Sequence, residues 1–138
     1  MDNERPNDKQ LTSKQKLLYP DLSYKVVGLI YRINDEIGFG QKEKVYAAAL
    51  EKLLQQENMP YQRELYFPVK MGTEVLARKY FDFFIDNKIV LEIKVGDHLY
   101  KEACGQLFQY LKLSNTKLGI IARFTRNGVK IKRIPCFY

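Results

Sequence analysis

Two short stretches of this sequence place charged residues inside runs of apolar ones, and they restrict the fold more than any other feature. Asp82 stands within 80–84 (Tyr-Phe-Asp-Phe-Phe), and Glu92 and Lys94 stand within 90–95 (Val-Leu-Glu-Ile-Lys-Val). Strands that are apolar on both faces are usually covered on both sides, as in the sheets of α/β proteins. A buried carboxylate without a partner costs several kcal/mol. The sequence therefore predicts an α/β fold in which these charged groups find partners in a partly buried place.

The spacing of apolar residues changes twice along the chain and predicts the order of the elements. Helical spacing occurs in the N-terminal part, where Gly38 and Gly40 separate two helices, and again after Gly96. Period-two alternation predicts strands in between, and Asn127-Gly128 predicts a hairpin near the C-terminus. The predicted order is α-α-β-β-β-α-β-β, with helices over 20–37, 41–57 and 97–113 and strands over 61–71, 74–86, 88–95, 118–124 and 129–134.

The length and composition fit one domain. The chain has 138 residues, and compact domains commonly run to about 100–150 residues. We expect residues 1–18 to form a flexible polar tail and residues 19–138 to form a single domain. No stretch approaches the ~20 apolar residues that span a bilayer, and the N-terminus has no apolar signal core, so we expect no membrane association and a cytoplasmic location. Cys104, Cys136 and His98 are too few for an ordinary structural zinc site, and we expect both cysteines to be reduced.

Positive charge is concentrated in the last third of the chain. The formal net charge is +7, and residues 95–138 hold eight Lys or Arg against two Asp or Glu, whereas residues 1–94 hold fifteen against fourteen. Such a concentration suits a polyanionic partner, because lysines and arginines that neutralise phosphates release condensed counterions. A solvated basic face without a partner explains the charge equally well.

Asp82, Glu92 and Lys94 are expected to meet on one face of the sheet. Glu92 and Lys94 are two residues apart in one strand, so their side chains leave the same face. A turn at Asp86-Asn87 makes the two strands antiparallel and brings Asp82 nearly opposite Glu92. Two close carboxylates repel each other unless a cation lies between them, and their oxygens suit Mg²⁺ or Mn²⁺. The lysine could hold an attacking water or stabilise charge on a phosphate; a Glu92–Lys94 ion pair without a catalytic role is the alternative.

With these residues, the sequence resembles the bacterial GxxExxY family of the PD-(D/E)XK nuclease-like superfamily. The naming motif is present as Gly40-Gln41-Lys42-Glu43-Lys44-Val45-Tyr46. Asp82 falls where the superfamily has the aspartate of its second core strand, and Glu92-Ile93-Lys94 corresponds to its E-x-K signature. Gln106 and Tyr110 resemble the Q-x3-Y of the following helix. The resemblance covers about residues 22–134 and leaves out the polar N-terminal tail.

The resemblance implies a restriction-endonuclease-like core, a mixed β-sheet flanked by helices, with the active site where two strands splay apart. It implies that Asp82 and Glu92 bind the metal directly and that Glu43 completes the acidic cluster. Lys94 is then expected to position or activate the attacking water. Gln106 is expected to orient Lys94 or to contact the phosphate backbone.

The activity that the resemblance implies is metal-dependent phosphodiester hydrolysis in nucleic acid, with DNA favoured over RNA and with Mg²⁺ or Mn²⁺ as cofactor. The residues expected to contact nucleic acid are Lys101, Arg123, Arg126 and Tyr110, although Tyr110 could instead pack under the sheet. Two alternatives stay open. One is a nucleic-acid-binding module that keeps the nuclease fold and cuts nothing. The other is a protein-interaction domain, dimeric through its N-terminal helix.

Overall fold

Two helices precede the sheet. In the computed structural model, which describes residues 18–137, helix α1 spans Pro20–Ile37 and helix α2 spans Glu43–Gln56. Pro20 suits the first turn of α1, where a backbone N–H has no partner within the helix. Helix α1 ends at Gly38, which adopts φ 75° and donates its N–H to the Asn34 carbonyl; a positive φ of this kind favours glycine. The tail expected over 1–18 lies outside the described residues, apart from Leu18.

The strands form a mixed sheet and a separate hairpin. A five-stranded sheet has the order β1-β4-β5-β6-β7, and β2 and β3 form a two-stranded sheet of their own. Strands β5 and β6 are parallel and are joined through helix α3 (Tyr100–Ser114), whereas the other paired strands are antiparallel. The strands are β1 (Tyr61–Gln62), β2 (Leu65–Met71), β3 (Glu74–Phe81), β4 (Phe83–Ile85), β5 (Ile89–Val95), β6 (Leu118–Thr125) and β7 (Gly128–Pro135). The expected mixed sheet, its flanking helices and the order of the elements are confirmed.

The structure divides two of the expected strands. The strand expected over 61–71 is interrupted after Gln62, and the strand expected over 74–86 is interrupted at Asp82. The second interruption has a visible cause, because the Asp82 N–H donates to Glu92 Oε1 at 3.0 Å instead of joining a regular backbone ladder. As a result β2 and β3 leave the main sheet as a hairpin. Helix α3 also begins later than expected, after Leu99 in the left-handed region at φ 56°.

Both faces of the main sheet are covered. One face packs against α1 and α2 in a core that contains Leu91, and the other packs against α3 and the β2–β3 hairpin in a core that contains Val90. The alternation of β5 between the two cores confirms that the strand around Glu92 is covered on both sides. Among the described residues, no helix has both the length and the apolar character needed to cross a membrane.

Helix α3 lies directly on β6 at Gly119. A Cβ atom added to Gly119 would lie 2.8 Å from Leu107 Cδ2 and 2.9 Å from Leu107 Cγ, and Leu107 is fully buried. Atoms in a packed core cannot approach so closely, so this contact requires glycine. It fixes the distance between α3 and the strand that neighbours β5.

We therefore expect Gly119→Ala to lower the free energy of unfolding by about 1–3 kcal/mol, because the added methyl group overpacks the contact with Leu107. Urea denaturation measures the change. Gly28→Ala is the matched control, since Gly28 lies in the exposed part of α1 with nothing within 4 Å of the added carbon; it is expected to raise stability by about 0.5–1 kcal/mol. Unchanged stability in Gly119→Ala would contradict the close contact.

Candidate active site

The candidate site lies where β3 ends and β4 begins. Phe83 pairs with Leu91 and Phe84 with Val90 in the antiparallel β4–β5 ladder, and continuing that register places Asp82 opposite Glu92. The turn between the strands contains Asp86 and Asn87, both at φ 53°. The two acids therefore face each other across neighbouring strands, as the turn predicts.

Asp82 and Glu92 are held by a reciprocal pair of hydrogen bonds. The Asp82 N–H donates to Glu92 Oε1 at 3.0 Å, and the Ile93 N–H donates to Asp82 Oδ2 at 2.7 Å. Each carboxyl group thus accepts a backbone N–H from the opposite strand. Hydrogen bonds of this kind offset the cost of burying a carboxyl group.

Lys94 completes a partly buried group of three. Its Nζ lies 4.0 Å from Glu92 Oε2, and the side chains of Lys94 and Glu92 are 24% and 14% exposed. Alternation along β5 places both on the sheet face that α3 covers, with Val90. The geometry is compatible with both interpretations of the sequence, an ion pair and a catalytic lysine.

Burial changes the protonation of the acidic pair. Desolvation, and after it the adjacent Asp82 carboxylate, raise the pKa of Glu92 from 4.5 to about 9, and Lys94 acts in the opposite direction. Two adjacent carboxyl groups with little access to water cannot both ionise easily. Near neutral pH the pair therefore holds one proton, and with the lysine it forms a group without net charge.

The chemistry of the pair fits a divalent cation. Mg²⁺ is commonly bound through one or two carboxylates, with waters and substrate phosphates as its other ligands. A cation between Asp82 and Glu92 would displace the proton and remove their repulsion. Within residues 18–137, no group of three or more His, Cys, Asp or Glu side chains is arranged to hold a metal. Asp82 and Glu92 are thus two carboxyl groups of the type that bind divalent cations.

Glu43, the third expected ligand, does not join this group. It is the exposed first residue of α2. Helix α2 covers the sheet face that carries Leu91 and Ile93, whereas Glu92 leaves the opposite face. The metal-binding role of Glu43 stays a prediction.

Tyr46, the last residue of the GxxExxY motif, has a structural role in the core. Its buried ring stacks on Phe124 at 3.9 Å between centroids, with an interplanar angle of 3°. Its hydroxyl donates to the Gly38 carbonyl at 2.6 Å and accepts from the Gln41 N–H at 3.3 Å. Tyr46 therefore fastens the loop that leads into Glu43. The seven-residue motif itself is the signal, since it places a tyrosine one helical turn after the loop.

The two expected functional residues of α3 lie in different surroundings. Tyr110 is only 8% exposed, and its ring packs against Phe67 at 4.8 Å and Phe81 at 4.9 Å. The hairpin covers Tyr110, so its place in the structure favours the packing role that the sequence analysis left open as the alternative to nucleic-acid contact. Gln106 is exposed and faces the same hairpin, and in the described part of the chain no hydrogen bond joins it to Lys94. The role expected for Gln106 stays a prediction.

A row of cationic residues extends across the sheet from the acidic pair. Lys94, Arg123 and Lys130 lie opposite one another on β5, β6 and β7, so they share one face. Arg123 pairs with Asp97 and lies 4.3 Å above the Tyr100 ring. Its buried Nε has no hydrogen-bond partner among residues 18–137. The sequence analysis missed Lys130, although the Asn127-Gly128 hairpin register would have placed it beside Arg123.

Lys101 and Arg126, the other expected contacts, are both exposed. Lys101 lines a cavity of about 360 Å³ with Asp97 and Tyr100, the two partners of Arg123. Arg126 lies in the β6–β7 turn with its guanidinium 5.9 Å from the centre of the Phe39 ring. Lys101 therefore adjoins the cationic row through these shared neighbours.

In metal-free protein, we expect Glu92→Gln to raise the free energy of unfolding at about pH 8 by on the order of 1–3 kcal/mol. The pKa of Glu92 in the folded state, about 9, lies above the ordinary 4.5. The protonated pair thus stabilises the fold fully below about pH 4.5, and that contribution is lost as the pH rises towards 9. Glutamine keeps an acceptor for the Asp82 N–H and has no charge to gain.

Urea denaturation with a chelator at a series of pH values measures this difference. The exposed Glu74 provides the control, since Glu74→Gln should leave the pH dependence of the wild type unchanged. If wild-type stability did not fall relative to Glu92→Gln between about pH 5 and pH 8, the shared proton would be contradicted.

Comparison with known proteins identifies the superfamily of the chain. A family model for the PD-(D/E)XK nuclease superfamily matches residues 20–134. No curated protein matches the sequence. The crystal structure of SSO0001 resembles this chain with a TM-score of 0.50 at 20% identity, over 88% of this chain and 62% of that one, a likeness that shows the fold alone. With a family match across nearly all of the described residues, the chain belongs to the PD-(D/E)XK nuclease superfamily.

Proposed function

We propose that this protein is a metal-dependent phosphodiester hydrolase that acts on nucleic acid, with DNA favoured over RNA. The observation that carries the proposal is the reciprocal hydrogen bonding that holds Asp82 and Glu92 side by side, with Lys94 4.0 Å from Glu92. Membership of a nuclease superfamily supports the reaction class. The GxxExxY motif around Glu43 supports placement in the GxxExxY family of that superfamily, with Glu43 as a further metal ligand.

The hydrogen bonds determine which oxygens are available to a cation. Asp82 Oδ2 accepts the Ile93 N–H and Glu92 Oε1 accepts the Asp82 N–H, so Asp82 Oδ1 and Glu92 Oε2 are the open donors. A bound Mg²⁺ or Mn²⁺ supplies a water of lowered pKa and polarises a phosphoryl oxygen. Because ligands must lose their protons first, Glu92 has to release its proton, and metal affinity should rise with pH.

Lys94 is the group best suited to act on the reacting phosphate. Its ammonium adjoins Glu92 Oε2, the open oxygen of that carboxylate. A fixed positive charge in a partly buried place stabilises negative charge that develops on phosphoryl oxygens, and it can also hold the attacking water. Gln106, one helix away, is proposed to contact the substrate rather than the reacting atoms.

The cationic row provides a path for the nucleic acid backbone. Arg123 and Lys130 continue from Lys94 across the sheet, and the exposed Lys101 lies beside Arg123. Contacts to phosphates of this kind position a nucleic acid without reading its sequence. We also propose a cytoplasmic location, which suits the free thiols of Cys104 and Cys136.

We expect Asp82→Asn and Lys94→Met each to reduce cutting of labelled DNA in Mg²⁺ by about 100-fold or more. Asparagine at position 82 removes a charged metal ligand. Methionine at position 94 removes the ammonium group and keeps most of the length of the side chain. Metal-free melting of Asp82→Asn should be unchanged or higher, since the substitution relieves repulsion and keeps an acceptor for the Ile93 N–H. Cutting assays and thermal melting measure both effects.

Lys88→Met is the matched control, because Lys88 precedes β5 at its opposite end and pairs with Asp86; it should cut normally. Glu43→Gln tests the further ligand, with weaker Mn²⁺ binding expected. Salt-sensitive DNA binding without cutting would favour the non-catalytic module. A large loss of stability in metal-free Asp82→Asn would favour a structural role for the acidic pair.

Lys130→Ala is expected to weaken DNA binding by a similar factor for every sequence and to reduce the slope of log Kd against log salt by about 0.7–0.9, the change for one phosphate contact. Anisotropy titrations at several salt concentrations give the slope. Lys52→Ala on the opposite face is the control, since Lys52 is an exposed residue of α2. An unchanged slope in Lys130→Ala would exclude the row as the backbone path.

A further inference from the structure

A groove separates the β2–β3 hairpin from helix α3, apart from the acidic pair. Its volume is about 370 Å³, within the range of about 300–1,000 Å³ that is usual for small-molecule sites. The hairpin is anchored beside it, because Phe67 and Phe81 pack on Tyr110. The residues that line the groove include Phe67, Lys70, Lys79, Gln106, Gln109 and Leu113.

The charge of the groove favours an anionic occupant. Lys70 and Lys79 both line it, and no acidic residue does. Within the described chain neither lysine has an ion-pair partner at the groove. Two ammonium groups at the edge of one groove, without a carboxylate beside them, attract a phosphate.

The remaining walls suit a heterocyclic base. Phe67 and Leu113 supply apolar surface on two sides, and aromatic rings stack on nucleic acid bases with little regard to sequence. Gln106 and Gln109 present amides that can both donate and accept, as base edges require. The combination of an apolar slot, two amides and two cations matches one nucleotide.

The groove is also next to the candidate active site along β3. Lys79 precedes Asp82 by three residues, so the two Cα atoms are about 10 Å apart at the rise of a strand. Phe81, which lies between them, contacts Phe67 in the wall of the groove. A nucleic acid chain with one phosphate at Asp82 and Glu92 can therefore place a neighbouring nucleotide in the groove.

We propose that this groove binds one unpaired nucleotide of the nucleic acid substrate, next to the position that is cut. The inference rests on the proposed function, and it defines the substrate class as nucleic acid with an unpaired nucleotide beside the scissile bond. A paired base would first have to leave its stack, at a cost that an already unpaired base does not incur. The groove thus selects for bulged, overhanging or single-stranded positions.

The test compares the binding of two labelled DNAs, a plain duplex and the same duplex with one bulged nucleotide. The fluorescence anisotropy of each DNA is measured as the full-length protein is added in EDTA. Wild type should bind the bulged duplex about tenfold more tightly, a factor within the energy of one stacked base. Leu113→Trp fills the groove and Gln109→Glu adds a repelling charge. Both variants should lose the preference and keep the affinity for plain duplex.

The control Leu76→Trp puts the same ring on an exposed part of the hairpin that does not line the groove. Leu76 and Leu113 are 56% and 66% exposed, so neither change disturbs the core, and melting curves check this. Equal wild-type affinity for the two DNAs overturns the proposal, as does a preference that survives both groove variants. A bulge preference without cutting in Mg²⁺ refutes the hydrolase and supports the groove. Binding to neither DNA overturns both proposals.

Discussion

The crossed hydrogen bonds between Asp82 and Glu92 are the interaction on which the other features depend. The Asp82 N–H leaves the regular ladder to reach a side chain, and the Asp82 carboxylate accepts the Ile93 N–H in return. The exchange satisfies two polar groups that the surrounding apolar residues would otherwise bury at a cost. It also ends the pairing of β3, so that β2 and β3 separate from the main sheet. The groove lies between that hairpin and α3.

Covering β5 on both faces determines what each helix can contribute. Helices α1 and α2 fill the face of Leu91 and leave their polar residues outside, whereas α3 covers the face from which Glu92 and Lys94 emerge. Glycine at position 119 lets α3 lie close to β6. Helix α3 and the β2–β3 hairpin therefore cover the site. A metal ligand from α2, such as Glu43, would have to reach around the end of the sheet. The position of Glu43 depends on the loop before α2, which Tyr46 holds through its hydrogen bond to Gly38.

The parts that the sequence predicted are those decided by local pattern. Alternating apolar residues and a short turn define a register, and that register places Asp82 opposite Glu92. The division of the strand at Asp82 was not predictable in this way, because the aromatic residues continue through it and the interruption needs a side chain ten positions later. The burial of Tyr110 likewise depends on where the detached hairpin packs. Spacing along one helix could not distinguish a residue facing the groove, such as Gln106, from one beneath the hairpin.

The proton on the acidic pair links the binding of metal and substrate. With the pKa of Glu92 at about 9, the metal-free pair and Lys94 carry no net charge near neutral pH. Because Asp97 compensates Arg123, the positive field of the site comes chiefly from the exposed Lys130 and Lys101. That field attracts phosphate before any metal is present. A phosphate beside the pair then adds negative charge, which favours a cation and strengthens its hold on both oxygens. Metal and phosphodiester should therefore increase each other's affinity, and by linkage the two increases must be equal.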